Sequence, residues 1–190
     1  GSKQTADPYI SQVDSVLALM TLDEKIGQMT IFTTDWESTG PTIREGYQND
    51  IRNGSCGALF NSHTVAFTRK LQEIAVKESR LGIPLLFGYD VIHGYKTIFP
   101  IPLGESCSWD LAAIEQSAAI AAAESAAAGL HWTFAPMVDI SREPRWGRVM
   151  EGAGEDPYLG SLIARARVHG FQGDNFNGTD RILACVKHFA

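Results

Sequence analysis

With 190 residues, 44% of them hydrophobic, the chain has enough apolar material to bury a sizeable core, and its composition is that of a globular protein. A formal net charge of −6 leaves no basic stripe to neutralise phosphates, which argues against nucleic acid and anionic membrane surfaces as partners and for a neutral ligand. The longest apolar stretch, around Ala118 to Leu130, is alanine-rich and interrupted by Glu124 and Ser125, far short of the ~20 residues that span a bilayer. Cys56, Cys107 and Cys185 are widely spaced, with no CxxC and no paired histidines nearby. Buried free thiols are therefore expected, with no zinc site and no disulfide framework. Two Asn-Gly-Ser/Thr triplets, at Asn53 and Asn177, carry little weight because chance produces them readily.

In chain order, Gly1-Ser2-Lys3-Gln4 has no apolar signal core and is expected to be a tag remnant. Ile10, Val13, Val16, Leu17 and Met20 then recur at helical spacing, so residues 1–20 comprise that remnant and an N-terminal helix. Thr21-Leu22-Asp23-Glu24 is a capping box, in which the Thr hydroxyl and the Glu carboxylate satisfy orphan N–H groups at the start of a second helix. Apolar runs predict strands over Met29–Thr33, Gly57–Phe60 and Pro84–Gly88, with a helix over Phe67–Glu78 between the last two. Asp110 is suited to cap a helix over Leu111–Ala128, and Gly129 to stop it. A fourth strand is expected over Trp132–Ala135, an amphipathic helix over Tyr158–His169, and a fifth strand over the apolar run Ile182–Val186.

Strands alternating with helices fit either a doubly wound sheet or a (β/α)8 barrel. Each dense polar cluster follows a predicted strand: Tyr89 to Gly94 after the third, Ser141 to Asp156 after the fourth, and Lys187-His188 after the fifth. Chemistry at the C-terminal ends of strands is the barrel arrangement, and no GxGxxG or GxxxxGK[ST] opens a helix to favour a nucleotide-binding sheet. The fold expected is α/β, a TIM-type (β/α)8 barrel that is incomplete here, with about the first five βα units; complete barrels take roughly 250 residues.

Six motifs stand in order along the chain. They are Leu86 to Gly104 (containing Asp90-Val91-Ile92-His93-Gly94), Ser108-Trp109-Asp110, Ala135 to Ile140, Pro144-Arg145-Trp146-Gly147-Arg148, Gly154-Glu155-Asp156-Pro157-Tyr158 and Lys187-His188-Phe189. Together they closely resemble the N-terminal barrel of family 3 glycoside hydrolases, bacterial β-glucosidases in particular, from about Thr21 to Ala190. Residues 21–190 are accordingly expected to be part of that barrel domain.

The resemblance implies a sugar-binding role for four residues. Asp90, in Asp-x-x-His-Gly, matches the family carboxylate that accepts from hydroxyls of the non-reducing sugar. On general grounds an Asp at a strand-to-loop junction is more often a turn residue, and the surrounding motif outweighs that. Arg148, Lys187 and His188 match the family's donors to the same sugar, although alone Arg148 reads as a salt-bridge partner and His188 as a satisfied core histidine. His93 is assigned to loop structure. Arg145, Glu143, Glu151, Glu155 and Asp156 read mostly as an ion-pair network bracing the loop that carries Arg148. Trp36 is left unassigned between a stacking platform and a lid.

Glycoside hydrolysis needs two carboxyl groups flanking the scissile bond. In the family the nucleophile is an aspartate on a later strand and the acid/base a glutamate from a following domain, so no catalytic residue is expected within these residues, and no metal or cofactor. What they imply is the sugar-gripping half of the −1 subsite of a retaining β-glucosidase acting on terminal β-D-glucosyl residues of oligosaccharides, secreted or periplasmic. A β-xylosidase of the same family is the alternative. Ala190, where N-acetylglucosaminidases of the family continue with Pro-Gly-His, argues against N-acetylated sugars. Glu105-Ser106-Cys107 departs from the small apolar residues usual there and leaves the leaving-group preference open. Two further readings are a non-catalytic carbohydrate-binding module, disfavoured by the helices, and a split-barrel fragment completed by further strands or by self-association through its open edge.

Overall fold

The computed structural model describes residues 8–37, 40–42, 44, 46–175 and 178–189. The N-terminal Gly-Ser stretch, the triplet asparagine Asn177, Ala190 and the side chain of Trp36 lie outside the described residues.

Two helices lead in, α1 (Ile10–Leu19) and α2 (Leu22–Gln28), followed by β1 (Ile31–Thr33) and a short antiparallel pair, β2 (Asp35–Glu37) with β3 (Gly40–Thr42). Then come α3 (Tyr47–Arg52), β4 (Ala58–Phe60), α4 (Val65–Glu78), β5 (Leu86–Tyr89), α5 (Pro102–Ser106), α6 (Leu111–Ala127), β6 (Trp132–Thr133), a 3-10 turn at Val149–Glu151, and α7 (Pro157–Gln172). The architecture is α/β around a four-stranded parallel sheet in the order β1-β4-β5-β6. The predicted helix signals are those the structure uses. Thr21 and Glu24 form the full capping box, Asp110 accepts from the Ala113 amide at 3.0 Å, and Gly129 takes the left-handed φ of 86° that ends α6.

Register explains the core. Phe32, Leu59 and Phe87 sit side by side across β1, β4 and β5. Leu59 and Phe87 are fully buried, packed with Leu71, Ile74 and Ala75 of α4 and Ile51 of α3. Truncating one such side chain to Ala costs about 2–5 kcal/mol through lost transfer energy and the cavity left behind. A second core joins Ala118, Ala121 and Ala122 of α6 to Phe171 of α7, with Val91, Ala135 and Ile182. Small residues let these helices approach closely: a Cβ at Gly170 would overlap the carbonyl of Glu115.

The expected fifth strand is reduced. Residues 183–187 run parallel to residues 131–138, but only as two separate bridges, Trp132 with Leu183 and Met137 with Lys187. Between them stands Pro136, which has no N–H to donate, and the ladder breaks there while Cys185 and Lys187 donate to the carbonyls of Ala135 and Pro136 at 2.9 and 3.1 Å. The expectation of three buried thiols also needs correction: Cys56 is buried, which pushes its thiol up to about 11, whereas Cys107, at the C-terminal end of α5, is exposed and Cys185 is half-buried. No helix among the described residues is long and apolar enough to cross a membrane.

Two local contacts generate tests. On β5, Gly88 pairs with Trp132, whose indole occupies the space a side chain at 88 would take. Gly88→Ala should lower the unfolding free energy by about 1–3 kcal/mol, read from a denaturant midpoint, because either the indole or the strand must shift. Glu24 is held by Arg80, whose Nε donates at 2.9 Å while another guanidinium nitrogen reaches the Leu19 carbonyl at 2.8 Å, tying the α1–α2 corner to the turn after α4. The Arg80 hydrogen bonds depress the Glu24 carboxyl from 4.5 to about 2. A depressed carboxyl stabilises the fold above its unfolded value and loses that contribution as pH falls. Melting temperature should therefore drop between about pH 4.5 and pH 2 by an amount that Glu24→Gln removes.

Candidate functional site

The parallel sheet delivers successive loops to one edge. Asp90 directly follows β5, Asp139 stands in the segment after β6, and Lys187 forms the parallel bridge with Met137 that His188 follows. Arg148 precedes the 3-10 turn. Local structure aims Asp90 outward: its neighbour Val91 is fully buried and its amide donates to the buried Thr133 hydroxyl of β6 at 3.0 Å, so the loop turns with Asp90 on its open side.

All four sequence-predicted residues meet. Lys187 Nζ lies 3.8 Å from Asp90 and 3.2 Å from Glu151. Arg148 donates to both carboxylate oxygens of Glu151, at 2.6 and 2.7 Å, and through Nη1 to His188 Nε2 at 3.1 Å. His188 Nδ1 lies 2.8 Å from Asp139 Oδ2. The tautomer follows from the partners: a guanidinium can only donate, so Nε2 accepts and the proton sits on Nδ1, given to Asp139. The two Arg148 bonds hold Glu151 down at about 2, keeping it ionised. Burial pushes Asp90 above its usual value, with the Lys187 charge pulling the other way. Asp90, His93, Ile98, Ile101, Met150 and Glu151 line a cleft of about 300 Å³, two carboxylates and an imidazole set among apolar side chains. Such a surface suits a ligand with hydroxyls on its rim and C–H faces. Among the described residues no group of three or more His, Cys, Asp or Glu side chains is arranged to hold a metal ion.

Residues 21–190 match the family profile described as the glycosyl hydrolase family 3 N-terminal domain. The chain belongs to glycosyl hydrolase family 3. It is 43% identical over 178 residues to a periplasmic beta-glucosidase of Salmonella typhimurium, covering 94% of this chain and 23% of that protein. A putative beta-xylosidase of Formosa agariphila is 29% identical, over 94% of this chain and 26% of its own length. The crystal structure of beta-glucosidase from Listeria innocua superposes with a TM-score of 0.84 at 39% identity, covering 95% of this chain and 26% of that one. That enzyme has also been solved in complex with glucose and, as a mutant, with laminaribiose. The chain thus spans about a quarter of the length of these family 3 relatives.

Within this family 3 chain the braced loop differs in detail from a single ion-pair network. Glu151 belongs to the site, bridging Arg148 and Lys187. Arg145 pairs with Glu143 apart from it, and Asp156 caps α7 by accepting from the Leu159 amide at 2.7 Å, a capping role that the Asp-Pro step foreshadows. His93 is engaged in its own loop, with Nδ1 2.9 Å from the Phe99 carbonyl. Sequence reasoning gave Asp139 no role. Its partner stands 49 residues away, and no local spacing signals that contact. The Arg148–Glu151 pair, three residues apart, had such a signal. The expected consequence is measurable: long-range proton–nitrogen NMR should find neutral His188 as the Nδ1–H tautomer, and Asp139→Ala should convert it to a tautomer mixture with the fold retained.

Proposed function

We propose that the protein carrying this chain is an exo-acting, retaining β-glucosidase, and that these residues are the first βα units of its (β/α)8 barrel and supply the sugar-binding half of its −1 subsite. The observation that carries the reading is the convergence of Asp90, Arg148, Lys187 and His188 from three separate loops, beside a cleft lined by Asp90 and by Glu151, which holds both Arg148 and Lys187. The Asp90 carboxylate accepts from two neighbouring hydroxyls, while Lys187 and Arg148 donate to sugar oxygens. Such bonds strengthen as an oxocarbenium-like transition state develops, which turns binding into rate. The nucleophile and the acid/base are assigned to other parts of the enzyme, and no cofactor or metal is needed for this chemistry. A secreted or periplasmic site of action accords with the Salmonella relative.

The β-xylosidase name of the Formosa relative keeps the pentoside as a second reading. Hydrolysis of p-nitrophenyl β-glucoside and β-xyloside by the full-length protein, with the product anomer followed by NMR, tests both. The glucoside should be the better substrate and the β-anomer of glucose should appear first. Asp90→Ala should lower kcat/KM by about a hundredfold or more, because a site built around hydroxyl hydrogen bonds fails when a partner is removed. Inversion, or indifference to Asp90→Ala, overturns the assignment.

A further inference from the structure

Glu105, the first residue of the Glu105-Ser106-Cys107 stretch that departs from the small apolar pattern, does not line the cleft. It is buried on α5 and ion-paired with Arg167 of α7, the two side chains being 7% and 4% exposed. Among the described residues no other ion pair has both partners so deeply enclosed. Glu105 also accepts from the Ser117 hydroxyl of α6 at 2.8 Å, so three helices meet at one carboxylate. Arg167 lies against the Phe171 ring and uses two arms of its fork differently: Nη1 donates to Glu105 and Nη2 donates to the backbone carbonyl of Ile92.

Stability alone does not account for such a pair. Apolar residues of similar volume generally hold a core as well as a buried ion pair does. What they cannot do is donate a hydrogen bond to an irregular stretch of backbone, and a half-buried carbonyl left without a donor favours another conformation of its loop. Ile92 is two residues beyond Asp90. The Val91 amide is held by Thr133. The loop carrying Asp90 is thus gripped at two nearby peptide units, 90–91 by Thr133 from β6 and 92–93 by Arg167 from α7.

We propose that Arg167, charge-balanced and oriented by Glu105, is a positioning residue that fixes the Asp90 loop for sugar recognition. The loop clamp stands on the contacts above; its consequence for sugar rests on the reading of Asp90 as a sugar ligand. The test uses the full-length protein with Arg167→Met, Arg167→Lys and the double variant Glu105→Leu/Arg167→Met. Amide exchange over residues 89–93 is read without sugar, and thermal stability and glucoside kinetics are read beside it. Arg167→Met should destabilise the protein, raise exchange in this loop about tenfold, and raise KM about tenfold with less change in kcat. The double variant should regain most of the melting temperature, while exchange and KM stay raised because the Ile92 carbonyl still has no donor. Arg167→Lys, which keeps the charge but has no planar fork, should raise exchange in the same segment and guards against failure of the double variant to fold. Recovery of exchange and KM together with stability in the double variant would show that the pair merely fills the core, and overturn the proposal. Altered exchange with no glucoside hydrolysis by the wild-type protein would instead sink the sugar reading and leave the clamp standing.

Discussion

The constraint on which the site depends is the parallel direction of the strands. Because β1, β4, β5 and β6 run the same way, each must be followed by a crossover, and every loop leaving a C-terminal strand end arrives at the same edge. Asp90, Asp139 and Lys187-His188 are far apart in sequence and adjacent in space for that reason. The ladder also sets distances. The absence of a side chain at Gly88 makes room for the Trp132 indole, and Thr133 on the same strand reaches the loop that presents Asp90. An antiparallel arrangement of the same segments would send alternate loops to opposite edges, with the sugar-binding candidates divided between them.

Around this frame the charged groups form a connected chain from Asp90 through Lys187, Glu151, Arg148 and His188 to Asp139. Partly exposed pairs of this kind add little to stability one at a time. Their physical value here is orientation: each donor is held by a carboxylate partner, Glu151 or Asp139, so the side chains are aligned before a ligand arrives. Asp90 is the exception, since burial raises its carboxyl while its ion-pair partner Lys187 stands at 3.8 Å. It is the member of the chain with most unused acceptor capacity, as a hydroxyl-binding group requires.

The features legible in the sequence are those with local causes. Thr21-Glu24, Asp110 and Gly129 mark helix ends through bonds and backbone angles within a few residues, and the structure places the boundaries of α2 and α6 there. The apolar runs marked β4 and β5 for the same reason, since their period and composition reflect burial between packed layers. The short β2–β3 pair carried no such signal, and the run at 182–186 suggested a continuous strand that Pro136, on the neighbouring chain segment, interrupts. The ordered motifs pointed to family 3 and to the four candidate residues without any knowledge of their distances.

What only the tertiary structure decided is which groups meet. Asp139 beside His188, Glu151 between Arg148 and Lys187, and Arg167 joining Glu105 to the Ile92 carbonyl all link residues whose spacing carries no periodic signature or a merely local one. Glu105 shows the difference most plainly. In sequence it was an anomaly near the site, open to a role in leaving-group preference, and in the fold it is a buried counter-ion that does not line the cleft. Helix and strand signals are written within one turn or one pleat, so the sequence by itself determined them. The identity of a partner 49 or 62 residues away depends on how helices pack over the sheet, which no local pattern encodes.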